Sequence, residues 1–211
     1  LQASHHMMVA SAKAVLLGHK INPEFKIGCM LQYPMTYGAT CRPEDQLAKK
    51  YHMMPNFYYG DVMCRGYYTN TCTAQQRRLG GTFTQNAEDA LILKEGTVDY
   101  IAFSYYFSSI ARYAGPEDNI CTGEKNPYLK RNDWDWHIDP LGLRLSLNEL
   151  YDRYQLPLFV VENGLGAIDT VKEDGTIEDD QRIAFLAAHI KALKDAVELD
   201  DIDVIGYTTC G

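Results

Sequence analysis

Residues 156–166 read Leu-Pro-Leu-Phe-Val-Val-Glu-Asn-Gly-Leu-Gly, and this stretch indicates the fold class. Its centre, residues 158–161, is a continuous apolar run that Pro157 precedes and an Asn-Gly turn signal follows. Continuous rather than alternating apolarity is typical of a strand buried on both faces, as in a parallel sheet covered by helices. Glu162 then lies at the carboxyl end of that strand, where ligands bind in α/β sheets and barrels.

A carboxylate at the end of a buried strand is costly to keep unless hydrogen bonds or charges stabilise it, so Glu162 is a candidate functional residue. Its position alone leaves two interpretations open. One is a catalytic or binding carboxylate, and the other is a strand-ending Glu that points into water.

Composition narrows the class of protein. The chain has 211 residues, of which 46% are hydrophobic, and a formal net charge of -8. These values are typical of a globular protein with one sizeable core. The acidic residues are spread along the chain, which argues against a nucleic-acid partner and against a basic membrane-binding face. No apolar run approaches the ~20 residues that cross a bilayer, so we expect no membrane partner.

The cysteines are scattered, and none forms a Cys-x-x-Cys pair, so neither a zinc site nor a thioredoxin-like motif is indicated. They are Cys29, Cys41, Cys64, Cys72, Cys121 and Cys210. With no signal-peptide pattern, they predict reduced thiols in a cytoplasmic protein. The chain starts at Leu1 rather than Met and ends at Gly211 inside a predicted strand. We therefore expect a single partial domain over residues 1–211, truncated at both ends.

Helical spacing of apolar residues and the usual end signals predict the helices, at residues 3–21, 43–53, 73–79, 87–94, 141–155 and 178–199. Aromatic, β-branched and apolar runs predict four strands, at residues 25–37, 97–106, 158–162 and 204–209. Residues 61–68 are expected to be extended, and residues 107–140 to form a long loop. Alternating strands and helices predict an α/β fold with parallel strands, and four such strands fit half of a (β/α)8 TIM barrel.

Residues 132–140 alternate indoles with acids, in the order Asn-Asp-Trp-Asp-Trp-His-Ile-Asp-Pro. A metal site is the weaker interpretation, because alternate residues of an extended chain lie about 6–7 Å apart. Its ligands would be Asp133, Asp135, His137 and Asp139. The indoles of Trp134 and Trp136 could instead form a sugar-binding platform or pack within the protein, and both interpretations stay open.

Tyr105 and Tyr106 are neighbours at the end of a predicted strand, so their side chains point to opposite sides. A hydroxyl that reaches Glu162 would orient the carboxylate by donating a hydrogen bond. Gly-x-Gly-x-x-Gly, P-loop and Gly-x-Ser-x-Gly motifs are absent from the sequence, which gives no support to a nucleotide cofactor or a serine nucleophile. We expect no cofactor and no metal.

Several segments, taken in order, resemble glycoside hydrolase family 1, and most closely its 6-phospho-β-glucosidase branch. The segments are residues 27–31 (Ile-Gly-Cys-Met-Leu), 104–106 (Ser-Tyr-Tyr), 126–130 (Asn-Pro-Tyr-Leu-Lys), 136–144 (Trp-His-Ile-Asp-Pro-Leu-Gly-Leu-Arg), 147–154 (Leu-Asn-Glu-Leu-Tyr-Asp-Arg-Tyr), 161–164 (Val-Glu-Asn-Gly) and 206–209 (Gly-Tyr-Thr-Thr). The resemblance implies a (β/α)8 barrel, of which this chain supplies roughly strands 5–8. It also implies a retaining glycosidase that forms a covalent glycosyl-enzyme on a 6-phospho-β-glucoside.

Site residues follow from the same resemblance. Glu162 matches the nucleophile, and Tyr106 matches the tyrosine that orients it. Trp136 matches the aglycone-side tryptophan, and Ser104 replaces an Asn as in phospho-glycosidases. Cys210 stands where the family pattern Thr-Thr-Trp-Gly has a sugar-stacking indole.

Two functional parts of the family pattern are not found in this sequence. The acid/base Glu belongs to an Asn-Glu motif upstream of the first helix, and the Ser-x-Lys-x-Tyr phosphate loop belongs after the last strand. We therefore expect these residues alone to be inactive. The alternatives are a β-glucosidase or β-galactosidase for unphosphorylated sugars, and a non-catalytic sugar-binding half-barrel. A homo-oligomer is also left open.

Overall fold

The computed structural model describes residues 1–115 and 120–210. The helices of this part are α1 (Gln2–Ile21), α2 (Pro43–Arg65), α3 (Asn70–Arg78), α4 (Ala87–Glu95), α5 (Pro140–Tyr154) and α6 (Asp180–Asp200). The strands are β1 (Gly28–Gln32), β2 (Met35–Gly38), β3 (Tyr100–Ser104), β4 (Ser108–Tyr113), β5 (Ile120–Thr122), β6 (Leu158–Glu162) and β7 (Val204–Tyr207). None of the helices in the described ranges combines the length and apolarity needed to cross a bilayer.

The chain divides into two compact units, and the first comprises residues 1–31 and 53–102. It contains α1, α3, α4 and the second half of α2, with β1 beside the beginning of β3. Its core is built by apolar side chains of the helices, because each helix buries one face against the others. The core residues are Met8, Val9, Ala12, Tyr58, Val62, Cys72 and Leu93.

The second unit comprises residues 32–52 and the chain from residue 103 onward, and it contains the candidate site. The end of β3, β6 and β7 lie side by side, and β6 pairs with β7 in parallel. A separate sheet has the order β2-β4-β5, in which β2 and β4 are parallel and β4 and β5 antiparallel. Helices α5 and α6 pack against each other.

Helix α5 shows why a local signal is reliable. Asp139 is its N-cap and accepts a hydrogen bond from the Gly142 N–H at 2.8 Å, while Pro140 occupies the first turn. The predicted apolar face is buried, with Leu143, Leu147 and Leu150 all at 0% exposure.

The helix predictions for residues 3–21, 87–94, 141–155 and 178–199 are confirmed to within two residues at each end. Of the helix predicted at residues 73–79, all but Leu79 fall in α3, which begins three residues earlier, at Asn70. The prediction of one strand over residues 25–37 is wrong. Pro34 separates β1 from β2, because proline has no N–H to donate to a sheet.

Two further predictions are wrong. Residues 61–68 are mostly helical rather than extended, because α2 continues past Pro55 to Arg65. The buried side chains of Tyr58 and Val62 stabilise that extension by packing. Residues 107–140 are not simply a loop, since they include β4 and β5. Strand β4 pairs with β2, which is distant in the sequence, and β5 pairs with β4. The part of the predicted loop at residues 116–119 and the strand position of Gly211 lie outside the described residues.

Candidate active site

Glu162 is the last residue of β6, as the continuous apolar run predicted. The ladder continues one step beyond β3, because the Tyr105 N–H donates to the Glu162 carbonyl oxygen at 2.9 Å. Leu158 and Val160 are completely buried below it, whereas the Glu162 side chain is half-buried. The carboxylate therefore lies at the rim of the strands and remains accessible.

Tyr105 and Tyr106 point to opposite sides, as the sequence predicted. The Tyr106 hydroxyl donates to Glu162 Oε2 at 3.3 Å. The Tyr105 side chain is buried, and its hydroxyl donates to the Asp139 carbonyl oxygen at 2.8 Å. Burial, the Cys210 thiol and the Glu162 charge, in that order, raise the pKa of Tyr106. Tyr106 therefore keeps its proton at neutral pH and acts as a hydrogen-bond donor to Glu162.

Cys210 lies at the same rim. Its N–H donates to the Asn163 carbonyl oxygen at 3.0 Å, and its thiol contacts the Tyr106 hydroxyl. The Cys210 side chain is exposed. Gly164 is required here, because a Cβ at that position would collide with the Cys210 carbonyl oxygen. The structure thus brings Cys210 to the pair formed by Tyr106 and Glu162.

Ser104 lies two residues before Tyr106, on the same face of the chain, and is 4% exposed. Its carbonyl oxygen accepts a hydrogen bond from the Tyr33 N–H at 3.1 Å. The structure places Ser104 beneath the rim, whereas Tyr106 lies at the rim itself.

Trp136 belongs to an aromatic group that borders Tyr106. Its ring centroid lies 5.8 Å from that of Tyr106 and 5.0 Å from that of Phe107. Trp134 packs edge-on against Trp136 at 5.2 Å and covers Gly166, where a Cβ would meet the indole at 2.6 Å. Both indoles keep exposed surface, so the geometry accommodates a flat ligand as well as internal packing.

The four side chains considered as metal ligands have separate partners. His137 accepts a hydrogen bond from the Asn126 N–H and contacts the Ser108 carbonyl oxygen, each at 2.9 Å. Asp139 caps α5, Asp133 accepts from the Ile168 N–H, and Asp135 pairs with Arg131. Within residues 1–115 and 120–210, no group of three or more His, Cys, Asp or Glu side chains is arranged to hold a metal ion.

The sequence comparison decides the family. The family model described as "Glycosyl hydrolase family 1" matches residues 1–211, the whole of the chain. The chain belongs to glycosyl hydrolase family 1.

Relatives within family 1 are substantially similar. The chain is 45% identical to the aryl-phospho-beta-D-glucosidase BglA of Bacillus subtilis (strain 168), covering 100% of this chain and 46% of that protein. It is 44% identical to the 6-phospho-beta-glucosidase AscB of Escherichia coli (strain K12), covering 100% of this chain and 45% of that protein. The chain thus spans about half the length of the curated relatives it matches.

Solved structures of family 1 agree with the fold. The family 1 β-glucosidase from Thermotoga maritima superimposes with a TM-score of 0.84 at 23% identity, over 97% of this chain and 46% of that chain. The predicted α/β fold of the (β/α)8 barrel class is confirmed, with the chain corresponding to about half of such a barrel.

Two residues that form hydrogen bonds at this rim were not among the predicted site residues. Asn163 was interpreted only as part of a turn signal, yet it is completely buried and hydrogen-bonds to Tyr105 and Tyr207. The sequence did carry a signal for it, because a polar side chain that directly follows a strand-ending carboxylate is a candidate site residue. For Tyr207 the sequence carried no such signal, because its partner lies 44 residues away.

Proposed function

We propose that this chain is the nucleophile-bearing part of a retaining glycosidase that hydrolyses 6-phospho-β-glucosides. The observation that carries the proposal is the Glu162 carboxylate at the rim of β6, held by the Tyr106 hydroxyl. In this arrangement the Glu162 carboxylate is accessible to a substrate, and the hydrogen bond from Tyr106 orients it. The phosphorylated substrate is supported by the relatives at 44–45% identity, whose names specify phospho-β-glucosidases.

The proposed reaction has two steps. The Glu162 carboxylate attacks C1 of the sugar, and the C1–O bond to the leaving group breaks while a second carboxyl group protonates the leaving oxygen. That second group then takes a proton from water, whose oxygen attacks C1 and releases Glu162. Tyr106 orients the attacking oxygen, and Trp136 lies on the side of the leaving group. Ser104 and Cys210 are proposed to lie under and beside the bound sugar.

A retaining mechanism needs its two carboxyl groups about 5–5.5 Å apart. Around Glu162 the described residues supply the Tyr106 hydroxyl, the Cys210 thiol and the buried Asn163 amide, whereas Asp139 is engaged as the cap of α5. We therefore propose that residues 1–211 are part of a larger (β/α)8 domain, whose other strands supply the acid/base group. Strand β7 ends the order β3-β6-β7, so among the described residues one edge of its backbone has no neighbouring strand, which fits a strand that pairs further.

A covalent label tests the role of Glu162 directly. The 6-phosphate of 2,4-dinitrophenyl 2-deoxy-2-fluoro-β-glucoside loses dinitrophenolate readily, while the fluorine slows release of the sugar from the enzyme. With the protein expressed from its complete gene, we expect mass spectrometry to find the fluorosugar phosphate on the peptide containing Glu162. Glu162→Gln should remain unlabelled and lose at least about 10³-fold in kcat. The exposed Glu178→Gln is the matched control and should label normally.

Label on another carboxylate would contradict the assignment of Glu162. The unphosphorylated inhibitor, tested in parallel, separates the competing substrate class, a β-glucosidase or β-galactosidase for free sugars. Faster labelling by the unphosphorylated compound would contradict the 6-phosphate proposal and leave the role of Glu162 intact.

We also propose a cytoplasmic location. All six cysteines are free thiols in the structure, which is typical of proteins that function in a reducing compartment.

A further inference from the structure

Asn163 connects the ends of three neighbouring strands. It is completely buried, and both polar atoms of its side chain have partners. Its Nδ2 donates to the Tyr105 carbonyl oxygen at 2.7 Å, and its Oδ1 accepts from the Tyr207 hydroxyl at 2.8 Å. Tyr105 follows β3, Asn163 follows β6, and Tyr207 ends β7. The connection therefore lies at the rim where Glu162 is found.

Two hydrogen bonds bracket the pair formed by Glu162 and Tyr106. The Tyr105 N–H donates to the Glu162 carbonyl oxygen at 2.9 Å, and the Asn163 amide returns a bond to the Tyr105 carbonyl oxygen. The first involves the backbone of Glu162 itself. The second holds the peptide group that leads into Tyr106. Together they determine how far apart the two backbones lie, and hence whether the Tyr106 hydroxyl can reach the carboxylate.

Tyr105 and Tyr207 together explain the orientation of the Asn163 amide. The Tyr105 carbonyl oxygen can only accept, so it requires Nδ2 on its side, and Oδ1 then accepts from the Tyr207 hydroxyl. Burial raises the pKa of Tyr207, so the hydroxyl keeps its proton. Without it, the buried Oδ1 would have no donor, which is costly for a buried polar atom.

We infer that Asn163 and Tyr207 are positioning residues for the attack of Glu162 on the sugar. Neither needs to touch the substrate. They act by holding the ends of β3, β6 and β7 together, so that the carboxylate and the Tyr106 hydroxyl stay in register. This inference rests on the proposed function, since it assigns Glu162 as the attacking group.

Removal of one hydroxyl is the first test. In the protein expressed from its complete gene, Tyr207→Phe should lower kcat for an aryl 6-phospho-β-glucoside by about 10- to 100-fold, the range for a small misplacement of a reacting group. KM should change by less than about 3-fold, because substrate contacts are retained. Asn163→Asp, which keeps the size but replaces the donating amide with a carboxylate, should act in the same direction.

Tyr33→Phe is the matched control. The Tyr33 hydroxyl also donates to a side-chain oxygen, that of Glu149 at 3.0 Å, and the ring is equally part of the second unit. This variant removes a comparable hydrogen bond to a helix residue, Glu149 of α5, rather than one that connects strand ends. We expect its kcat to stay within about 2-fold of the unsubstituted protein.

Azide separates positioning from general structural damage. In Glu162→Gly, azide can occupy the space of the missing carboxylate and attack C1, releasing the aryloxide and forming an α-glycosyl azide. The position of azide does not depend on the backbone of β6. Adding Tyr207→Phe or Asn163→Asp to Glu162→Gly should therefore leave the azide-dependent rate within about 2-fold.

The outcomes are distinct. The positioning role is wrong, while the proposed function stands, if Tyr207→Phe lowers kcat no more than Tyr33→Phe does. The same holds if adding Tyr207→Phe to Glu162→Gly lowers the azide-dependent rate by as large a factor as Tyr207→Phe alone lowers kcat. If the unsubstituted protein fails to hydrolyse the phosphoglucoside and azide rescues nothing, the proposed function is wrong and the positioning role falls with it. A far-UV circular dichroism spectrum of each variant excludes unfolding as the cause of a lower rate.

Discussion

Single residues around Tyr106 determine what the rim can do. The hydroxyl of Tyr106 contacts the Glu162 carboxylate and the Cys210 thiol. Together these two contacts restrict the motion of the Tyr106 ring. Cys210 is exposed, and its backbone is held by Asn163 and fits closely over Gly164. The backbone at position 210 is thus held in place at the rim, while the cysteine side chain is smaller than the indole of the family pattern.

The residue at position 210 provides a prediction about affinity. We expect Cys210→Trp to lower KM for a 6-phospho-β-glucoside by about 3- to 10-fold, because an indole buries apolar sugar surface that a thiol cannot cover. The exposed position leaves space for the larger side chain. Steady-state kinetics on the protein from the complete gene would measure the change.

Cys210→Ser is the control for the thiol itself. It keeps the small size, so KM should stay within about 2-fold of the unsubstituted protein. An unchanged or higher KM for Cys210→Trp would show that the indole finds no sugar surface here.

At the scale of elements, helices α5 and α6 are joined at the carboxyl end of α6. Asp200 lies there, where the helix dipole disfavours a negative charge. Arg144 of α5 compensates with two hydrogen bonds of 2.6 Å to the carboxylate, and the Asn148 amide adds a third at 2.9 Å. Arg144 first and Asn148 second lower the pKa of Asp200 to about 2.

This ion pair predicts how stability depends on pH. Because the pKa of Asp200 falls from 3.8 to about 2 on folding, the unfolded chain takes up the proton first as the pH drops. The stabilisation is present above about pH 4 and is lost as the pH falls toward 2. We expect the unfolding temperature of the unsubstituted protein to fall more between pH 6 and about pH 2.5 than that of Asp200→Asn.

Thermal unfolding followed by circular dichroism would measure both series. Asp152→Asn, on the exposed side of α5, is the control and should parallel the unsubstituted protein. Parallel curves for Asp200→Asn and the unsubstituted protein would show that the contact of Arg144 with Asp200 does not stabilise the fold.

For the molecule as a whole, the chain carries one of the two carboxyl groups that the proposed reaction needs, the nucleophile. The rim of the second unit presents Glu162 with its tyrosine partner and an adjoining aromatic group at Trp136. The retaining mechanism also needs a proton donor on the leaving-group side. The family relatives are about twice as long as this chain, which leaves room for that group elsewhere in the proposed larger domain.

The isolated 211 residues are therefore predicted to be inactive. We expect no measurable release of p-nitrophenol from its 6-phospho-β-glucoside by this chain, while the protein from the complete gene is active. Turnover by the isolated chain that disappears in Glu162→Gln would show that one carboxylate suffices. Calorimetric titration with glucose 6-phosphate and with cellobiose tests the competing idea of a sugar-binding module, which predicts saturable binding.

The sequence by itself determined the class of fold, most helices and the place of Glu162. These features depend on local signals, such as the continuous apolar run before Glu162 and the repeated leucines of α5. Local signals are sufficient for these features, because a buried strand or an amphipathic helix needs its own pattern of apolar residues, whichever part of the protein it packs against.

Only the tertiary structure decided the division of residues 25–37 into two strands, the pairing of β4 and the hydrogen bonds of Asn163. The amide of Asn163 finds Tyr105 at a distance of 58 residues along the chain and Tyr207 at 44. No local pattern encodes such a partner, because a hydrogen bond depends on where two distant backbones come to lie after the core has packed.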